Sequence, residues 1–296
     1  MSSVPAGLYL RSILKLGKFT IALPVALTGF LGYFLNTALL DKDALLVIFG
    51  VFLLSMGSGA INQIQERKTD ALMDRTRNRP IPAGIIGLRH AIIISVLFSL
   101  SGLVILALTG EVLAAGIGLF TLVWYNGVYT PLKRITAFAV FPGALIGALP
   151  PLIGWTATGG SPLDLEIILV AFLLFVGQMP HYWLLLLKIG SQFRDAGMPV
   201  ITNLLEPRQI RNLSFIWIAA TAVVVTMLPV TPIMENRPVS AVLILLTIGF
   251  MIRMFRLSFR GNLMQHWKKA FITVNLFYLV IILALIANKI LETNIY

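Results

Sequence analysis

Nine stretches of this chain carry no charged side chain: residues 19–40, 44–65, 90–110, 112–132, 135–163, 167–187, 212–234, 238–252 and 270–288. A helix needs about 20 apolar residues to cross the ~30 Å hydrocarbon layer of a bilayer. Eight of the runs are long enough. The run 238–252 is short and must extend past Arg253, whose side chain can snorkel to the interface. Continuous apolarity, without alternation at period 2, speaks for helices and against a β-barrel. Charged residues make up 12% of the chain, about half the share in an ordinary soluble domain, which excludes a soluble globular fold. The expectation is an all-α polytopic membrane protein with nine transmembrane helices, read as a single domain over 1–296. The first run is too long for a signal-peptide core and lacks a small-residue cleavage site, so it reads as a span. With no cysteine in the sequence, disulfides, thiolate metal ligands and a thiol nucleophile are excluded.

The segments between runs alternate in charge. The N-terminal segment, residues 66–89, 133–134, 188–211 and 253–269 hold 20 Lys/Arg against 5 Asp/Glu; the other set holds 3 against 7. By the positive-inside rule the first set is cytoplasmic, which puts the N-terminus inside and the C-terminus outside. The formal net charge of +11 therefore reports orientation toward an anionic leaflet and not a nucleic-acid partner. Three cytoplasmic loops (66–89, 188–211 and 253–269) are also the long ones, and long loops are usually functional. The chemistry is expected on that face.

The most informative segment runs from Asn62 to Pro80. Asn62, Glu66, Asp70 and Asp74 recur every four residues, which on an α-helix stacks them on one face about 6 Å apart. Like charges at that spacing repel unless a cation sits among them. One reading is a solvated juxtamembrane helix laced with salt bridges. The other is a Mg²⁺ site, since oxygen-only ligands suit that ion and it is commonly shared with substrate phosphates. The boundary position of Asn62 and Glu66, where unpaired polar groups are expensive, favours the second. Arg67, Arg75 and Arg79 are read as pointing elsewhere on the helix. Arg75, Arg79, Lys133, Arg134, Lys188 and Arg194 are candidate phosphate partners.

The ladder, followed by Arg75-Thr76-Arg77-Asn78-Arg79-Pro80, resembles the first aspartate-rich motif of the UbiA superfamily of intramembrane prenyltransferases, and within it the haem O synthase branch. Two further blocks are similar to that branch: Tyr129-Thr130-Pro131-Leu132-Lys133-Arg134, then Pro180-His181-Tyr182-Trp183 leading to Gln192-Phe193-Arg194-Asp195-Ala196-Gly197-Met198-Pro199. The resemblance implies Mg²⁺-dependent transfer of a farnesyl group from farnesyl diphosphate to a vinyl group of haem B. It implies Asn62, Glu66, Asp70 and Asp74 as metal ligands, and Asp70, Asp74, Lys133, Lys188 and His181 as catalytic. Arg75, Arg79, Tyr129, Arg134, Arg194, Gln192 and Asp195 would bind substrate. Trp124, Tyr125, Tyr129 and Phe193 offer faces to an allylic cation. A bacterial plasma membrane, and contact with haem-biosynthesis or terminal-oxidase assembly proteins, go with that function.

The chain departs from the family pattern at Glu66 and Gln192, which stand where Asp is usual, and at Phe193, which replaces Tyr. Asp195 is a candidate substitute for the missing carboxylate. An acceptor other than haem, such as a quinone precursor, or a silent relative, is the alternative. A transporter would show repeats with paired broken helices, and none is visible. His181 reads either as a hydrogen-bonded packing residue or as a haem-iron ligand or base. His90 and His266 lie at helix ends and read as interfacial. The Gly143-x3-Gly147 pair suggests close helix packing, and Pro142, Pro150 and Pro151 a kink beside a cavity.

Overall fold

The structure is a computed structural model that describes residues 5–260 and 263–293. Among them, nine helices are long and apolar enough to cross a membrane, as the charge-free runs require. A short helix α1 (Ala6–Leu16) precedes the spans α2 (Phe19–Thr37), α3 (Lys42–Leu72), α4 (Leu88–Ala107) and α5 (Val112–Val123). The fourth span continues through a π-helical turn (Trp124–Tyr129) into α6 (Thr130–Leu132). It is followed by α7 (Val140–Thr156), α8 (Leu165–Asp195), α9 (Pro207–Met227), α10 (Arg237–Phe255) and α11 (Leu263–Thr293). The short run 238–252 does extend past Arg253, through a second π-helical turn at Arg256–Arg260. The run 135–163 overshoots its helix, because Thr156 is followed by a turn through Gly159 at φ 79°.

α1 is not foreseen by the charge-free runs. Its Leu16, with Tyr9 and Ile13, packs on Ala60 of α3 and on Ile86 and Ala91. It thereby braces the loop after α3. The loops on the opposite face are short and capped. Asp41 accepts a hydrogen bond from the Tyr33 hydroxyl at 2.7 Å and one from the Ala44 amide at 3.0 Å. Those bonds hold its carboxyl below the usual range. Asn236 caps α10 in the same way.

Two of the four buried clusters among the described residues join most of the spans. One joins α2, α3, α4, α5 and α7 around Val47, Val51, Leu54, Leu106 and Ile153. The other joins α8, α9, α10 and α11 around Leu184, Val225, Leu243, Phe250 and Phe277. In a bilayer helices associate through close packing more than through apolar burial, and the α2–α7 contact depends on that. At Gly154 an added Cβ would overlap the Gly29 carbonyl oxygen and lie 2.7 Å from the Tyr33 amide nitrogen. Gly32 meets the Pro151 carbonyl just as closely. Of the foreseen small-residue pair, Gly143 faces the Tyr129 ring and Gly147 faces Gln178 of α8.

Candidate functional site

The C-terminal end of α3 brings three of the four ladder residues together. Asn62, Glu66 and Asp70 are all buried, on one face, as four-residue spacing dictates. Each is met by a cation from another part of the chain. The Lys18 ammonium donates to Asn62 Oδ1 at 2.6 Å, and Lys133 pairs with Glu66 at 2.5 Å. Arg79 binds both oxygens of Asp70 at 2.8 and 2.7 Å. Arg79 does not point elsewhere, as the helical reading expects, because the helix has ended before it.

The fourth residue leaves the ladder. α3 stops at Leu72, Met73 is extended at ψ 130°, and Asp74 is exposed and paired with Arg77 at 3.1 Å. The reason lies in the next turn. Thr76 donates its hydroxyl to the Asp70 carbonyl at 2.9 Å, folding the chain back so that Arg79 reaches Asp70. A helix continued to Asp74 would carry Arg79 away from that carboxylate.

A π-helical turn sets the opposite wall. Such a turn inserts one residue and rotates the helix beyond it, and it often marks a functional site. Here Gln65 donates to the Asn126 carbonyl at 2.9 Å, Asn126 donates to the Ser58 hydroxyl at 2.9 Å, and Asn62 donates to Thr130 Oγ1 at 3.0 Å. These bonds satisfy side-chain donors that bilayer depth would otherwise leave costly, while Gln65 Oε1 and Asn126 Oδ1 stay buried without a hydrogen-bond partner among the described residues. They present Tyr125 and Tyr129, 5.4 Å apart, with the Lys133 ammonium 5.1 Å over the Tyr129 ring. Arg134 is tied back to the Gln65 carbonyl at 2.6 Å.

From α8, Gln192 reaches this site: its Oε1 accepts the Arg75 amide at 3.3 Å. Lys188, Arg194 and Asp195 are exposed and are not brought to the ladder. Lys188 instead sits over the Trp267 ring at 5.4 Å. Phe193 packs into a cluster with Ile189 and Val200. Trp124 hydrogen-bonds the Pro142 carbonyl at 2.9 Å. His181 contacts Asn275 of α11 at 3.1 Å. His90 is exposed at the start of α4, and His266 lies near the start of α11.

Two cavities meet at Lys18. One is lined by Lys15, Lys18, Gln63, Arg75, Asn78 and Arg79. The other is almost wholly apolar and runs between α2, α3, the fourth span and α7, past Val51, Leu54, Tyr125, Ile146 and Pro150. From Gly59 to Val51 on α3 it descends roughly 12 Å. Two carboxylates, Glu66 and Asp70, face four cations: Lys18, Arg75, Arg79 and Lys133. The site is thus positive at its polar end and greasy below. Burial, then the charges of Arg79 and Lys133, push the Lys18 ammonium down to about 7.

Lys18 is the residue that the motif spacing misses. Its only signal is a cation one position before the first apolar run, at the membrane boundary that Asn62 and Glu66 also occupy. Asn126 and Thr130 have a clearer signal, being polar residues inside an apolar run. Asn62, Glu66 and Asp70 offer only oxygen donors, which suits a hard divalent cation. In the structure those oxygens are engaged by lysine and arginine, and no cluster of three or more His, Asp or Glu forms among the described residues.

The profile of the UbiA prenyltransferase family matches residues 22–286. A protoheme IX farnesyltransferase of Oleidesulfovibrio alaskensis is 33% identical over 97% of this chain and 99% of its own length. One of Geobacter sulfurreducens is 42% identical over 64% of this chain and 69% of its own. Among solved structures, a digeranylgeranylglyceryl phosphate synthase superposes with a TM-score of 0.74 at 16% identity, covering 95% of this chain and 99% of its own. A UbiA homologue from Archaeoglobus fulgidus bound to GPP and Mg²⁺ superposes with a TM-score of 0.65 at 17% identity, covering 93% and 99%. At these identities the structural likeness speaks to the fold.

Proposed function

Because this chain belongs to the UbiA prenyltransferase family, we propose that it moves a farnesyl group from farnesyl diphosphate to a vinyl group of haem B, releasing diphosphate and giving haem O. The whole chain acts as one catalytic unit in the membrane. The observation that carries the reading is the meeting of a cation-lined cavity and an apolar cavity at Lys18, which suits a substrate with a charged head and a hydrocarbon tail. The acceptor rests on the protoheme IX farnesyltransferase relatives.

The diphosphate lies among Lys18, Arg75, Arg79 and Lys133, and the isoprenoid descends past Tyr125 and Leu54. Asn62, Glu66 and Asp70 would hold Mg²⁺, which when bound offsets the charge that develops on the leaving diphosphate. Asp74, exposed and paired with Arg77, stands outside that set. As the diphosphate arrives, Lys133 and Arg79 turn from the carboxylates to phosphate oxygens. The C1–O bond breaks with its electron pair going to the diphosphate. The apolar walls keep water from the allylic cation, and the Tyr125 and Tyr129 faces stabilise it. A vinyl carbon of haem then bonds to C1, and water adds to the resulting haem-side cation with loss of a proton. The charge asymmetry of the loops supports a site on the cytoplasmic side, and the bacterial relatives support a plasma membrane. Haem-biosynthesis and terminal-oxidase assembly proteins are the natural neighbours of such a product. The test is diphosphate release from farnesyl diphosphate by the purified chain in detergent with Mg²⁺. Haem B should stimulate it and a quinone precursor should not; the reverse preference would move the chain to another acceptor class.

Lys18 makes substrate binding pH-dependent. An ammonium whose proton leaves at about 7 is half neutral at neutral pH, and an arriving diphosphate favours its charged form. Binding at pH 8 should therefore take up a proton, and affinity should fall as pH rises above 7. Calorimetry in buffers of different ionisation enthalpy reads the uptake. Lys18→Arg should abolish it, since arginine stays charged. Equal uptake in that variant would assign the proton to another group.

Gln192 faces the Arg75 backbone with a neutral oxygen. Gln192→Asp should add a carboxylate to the site and lower the Mg²⁺ concentration for half-maximal activity several-fold. An unchanged Mg²⁺ requirement would make the position only a tether for the Arg75 loop.

A further inference from the structure

The α8–α11 seam holds a hydrogen-bond relay that the site above does not use. Asn275 donates its side-chain NH₂ to the Phe271 carbonyl, one turn earlier on α11, at 2.7 Å. That bond fixes the amide so that its oxygen faces His181 Nδ1 at 3.1 Å. An amide oxygen only accepts, so Nδ1 must carry the proton. The remaining nitrogen, Nε2, then holds a free lone pair and has no hydrogen-bond partner among the described residues. The imidazole is half-buried, with its ring 4.8 Å from the Phe271 ring centroid. A neutral histidine with one N–H tied to a carbonyl and the other nitrogen bare is the arrangement that metal-ligating histidines adopt.

We infer that His181 Nε2 is the axial ligand that seats the iron of the haem acceptor, and that Asn275 is the positioning residue that sets its tautomer. The inference rests on haem as the acceptor. Packing alone does not require the relay, because an apolar pair would fill the same seam without burying an imidazole at bilayer depth. The neighbouring cation fits the same ligand. Lys188 follows His181 by seven residues, which puts it on the same face of α8 and about 10.5 Å further toward the end that carries the acidic site. That length is comparable to the reach from a porphyrin's iron to its propionate carboxylates. Exposed above Trp267, Lys188 is placed for a haem propionate and not for the diphosphate.

The probe is ferric haem B, titrated into the full chain in detergent and followed by absorption and electron paramagnetic resonance. His181→Ala should remove the imidazole–iron signature and weaken haem binding by about 10- to 100-fold. Millimolar imidazole should restore the signature in His181→Gly. Asn275→Leu should weaken binding over a similar range. Asn275→Asp, which keeps an acceptor and adds charge, should retain binding but lower the iron reduction potential; a merely structural asparagine would not shift it. Lys188→Gln should weaken haem binding and leave farnesyl diphosphate binding as it is. Retained farnesyl diphosphate binding certifies folding in each variant, and His181→Phe replaces His181→Ala if the smaller residue fails that check. If the unaltered chain binds haem but His181→Ala keeps its spectrum, the iron ligand lies elsewhere and the farnesyl transfer reading survives. If the chain binds no haem and releases diphosphate to another acceptor, the functional reading fails and this inference fails with it.

Discussion

Replacing Asp70 with alanine should abolish turnover, with a loss in kcat/KM on the order of 10³-fold or more. Asp70 is 1% exposed and holds Arg79 through both carboxylate oxygens. On the proposed reading it would serve twice: it would offer an oxygen pair for Mg²⁺, and it holds Arg79 in position to meet an incoming diphosphate. Truncation also strands a guanidinium that is largely buried, and breaking such a pair typically costs about 3–5 kcal/mol. Asp70→Asn separates the two effects. It keeps the shape and can still accept one hydrogen bond from Arg79, so the thermal midpoint should fall less than in Asp70→Ala. Turnover should still vanish, because the charge is gone. Steady-state diphosphate release, with thermal unfolding in the same detergent, reads both. Normal turnover in either variant would remove Asp70 from the metal and leaving-group machinery.

The second large effect should come from Gly154→Ala. The new methyl would overlap the Gly29 carbonyl oxygen, and a backbone carbonyl inside a helix cannot swing aside as a side chain does. Overpacking a core ordinarily costs about 1–3 kcal/mol, and a contact with rigid backbone belongs at or above the top of that range. α2 and α7 would have to separate. Pro150, which lines the apolar cavity, and Lys18, which joins the two cavities, stand on the elements that move. The variant should lose thermal stability by many degrees or fail to give monodisperse protein, and any folded fraction should show a raised KM for farnesyl diphosphate. A thermal midpoint and KM equal to those of the unaltered chain would mean that the two helices are not so closely opposed.

Much of the bundle was legible because bilayer crossing is a one-dimensional constraint: nine charge-free runs require nine spans. The exceptions have local causes. α1 is short and interrupted by Arg11 and Lys15, so it leaves no long charge-free run, although it packs Leu16 onto α3 and α4. The π-helical turn at Trp124–Tyr129 adds a single residue to a helix that is apolar all round, and apolarity all round carries no phase to be broken.

The site divides in the same way. Asn62, Glu66 and Asp70 could be grouped because a continuous helix makes four-residue spacing a spatial statement. Asp74 could not, since helix termination at Leu72 depends on the Thr76 and Arg79 bonds back to Asp70. The cations belong to tertiary structure altogether. Lys18 and Lys133 come from distant segments, and repeat spacing along α3 says nothing about either. Lys188 shows the opposite failure: a lysine near the third motif block was grouped with the diphosphate, whereas α8 carries it to Trp267. The residues of the candidate site are thus partly written in motif spacing and partly supplied by packing.

The central claim is that the chain joins farnesyl to haem, and product identification tests it most directly. Purified chain in detergent with Mg²⁺, farnesyl diphosphate and haem B should yield a haem whose mass has increased by one farnesyl group and one hydroxyl group relative to haem B, as liquid chromatography with mass spectrometry would resolve. Unchanged haem B, with the farnesyl group recovered on another acceptor or as farnesol, would contradict the account.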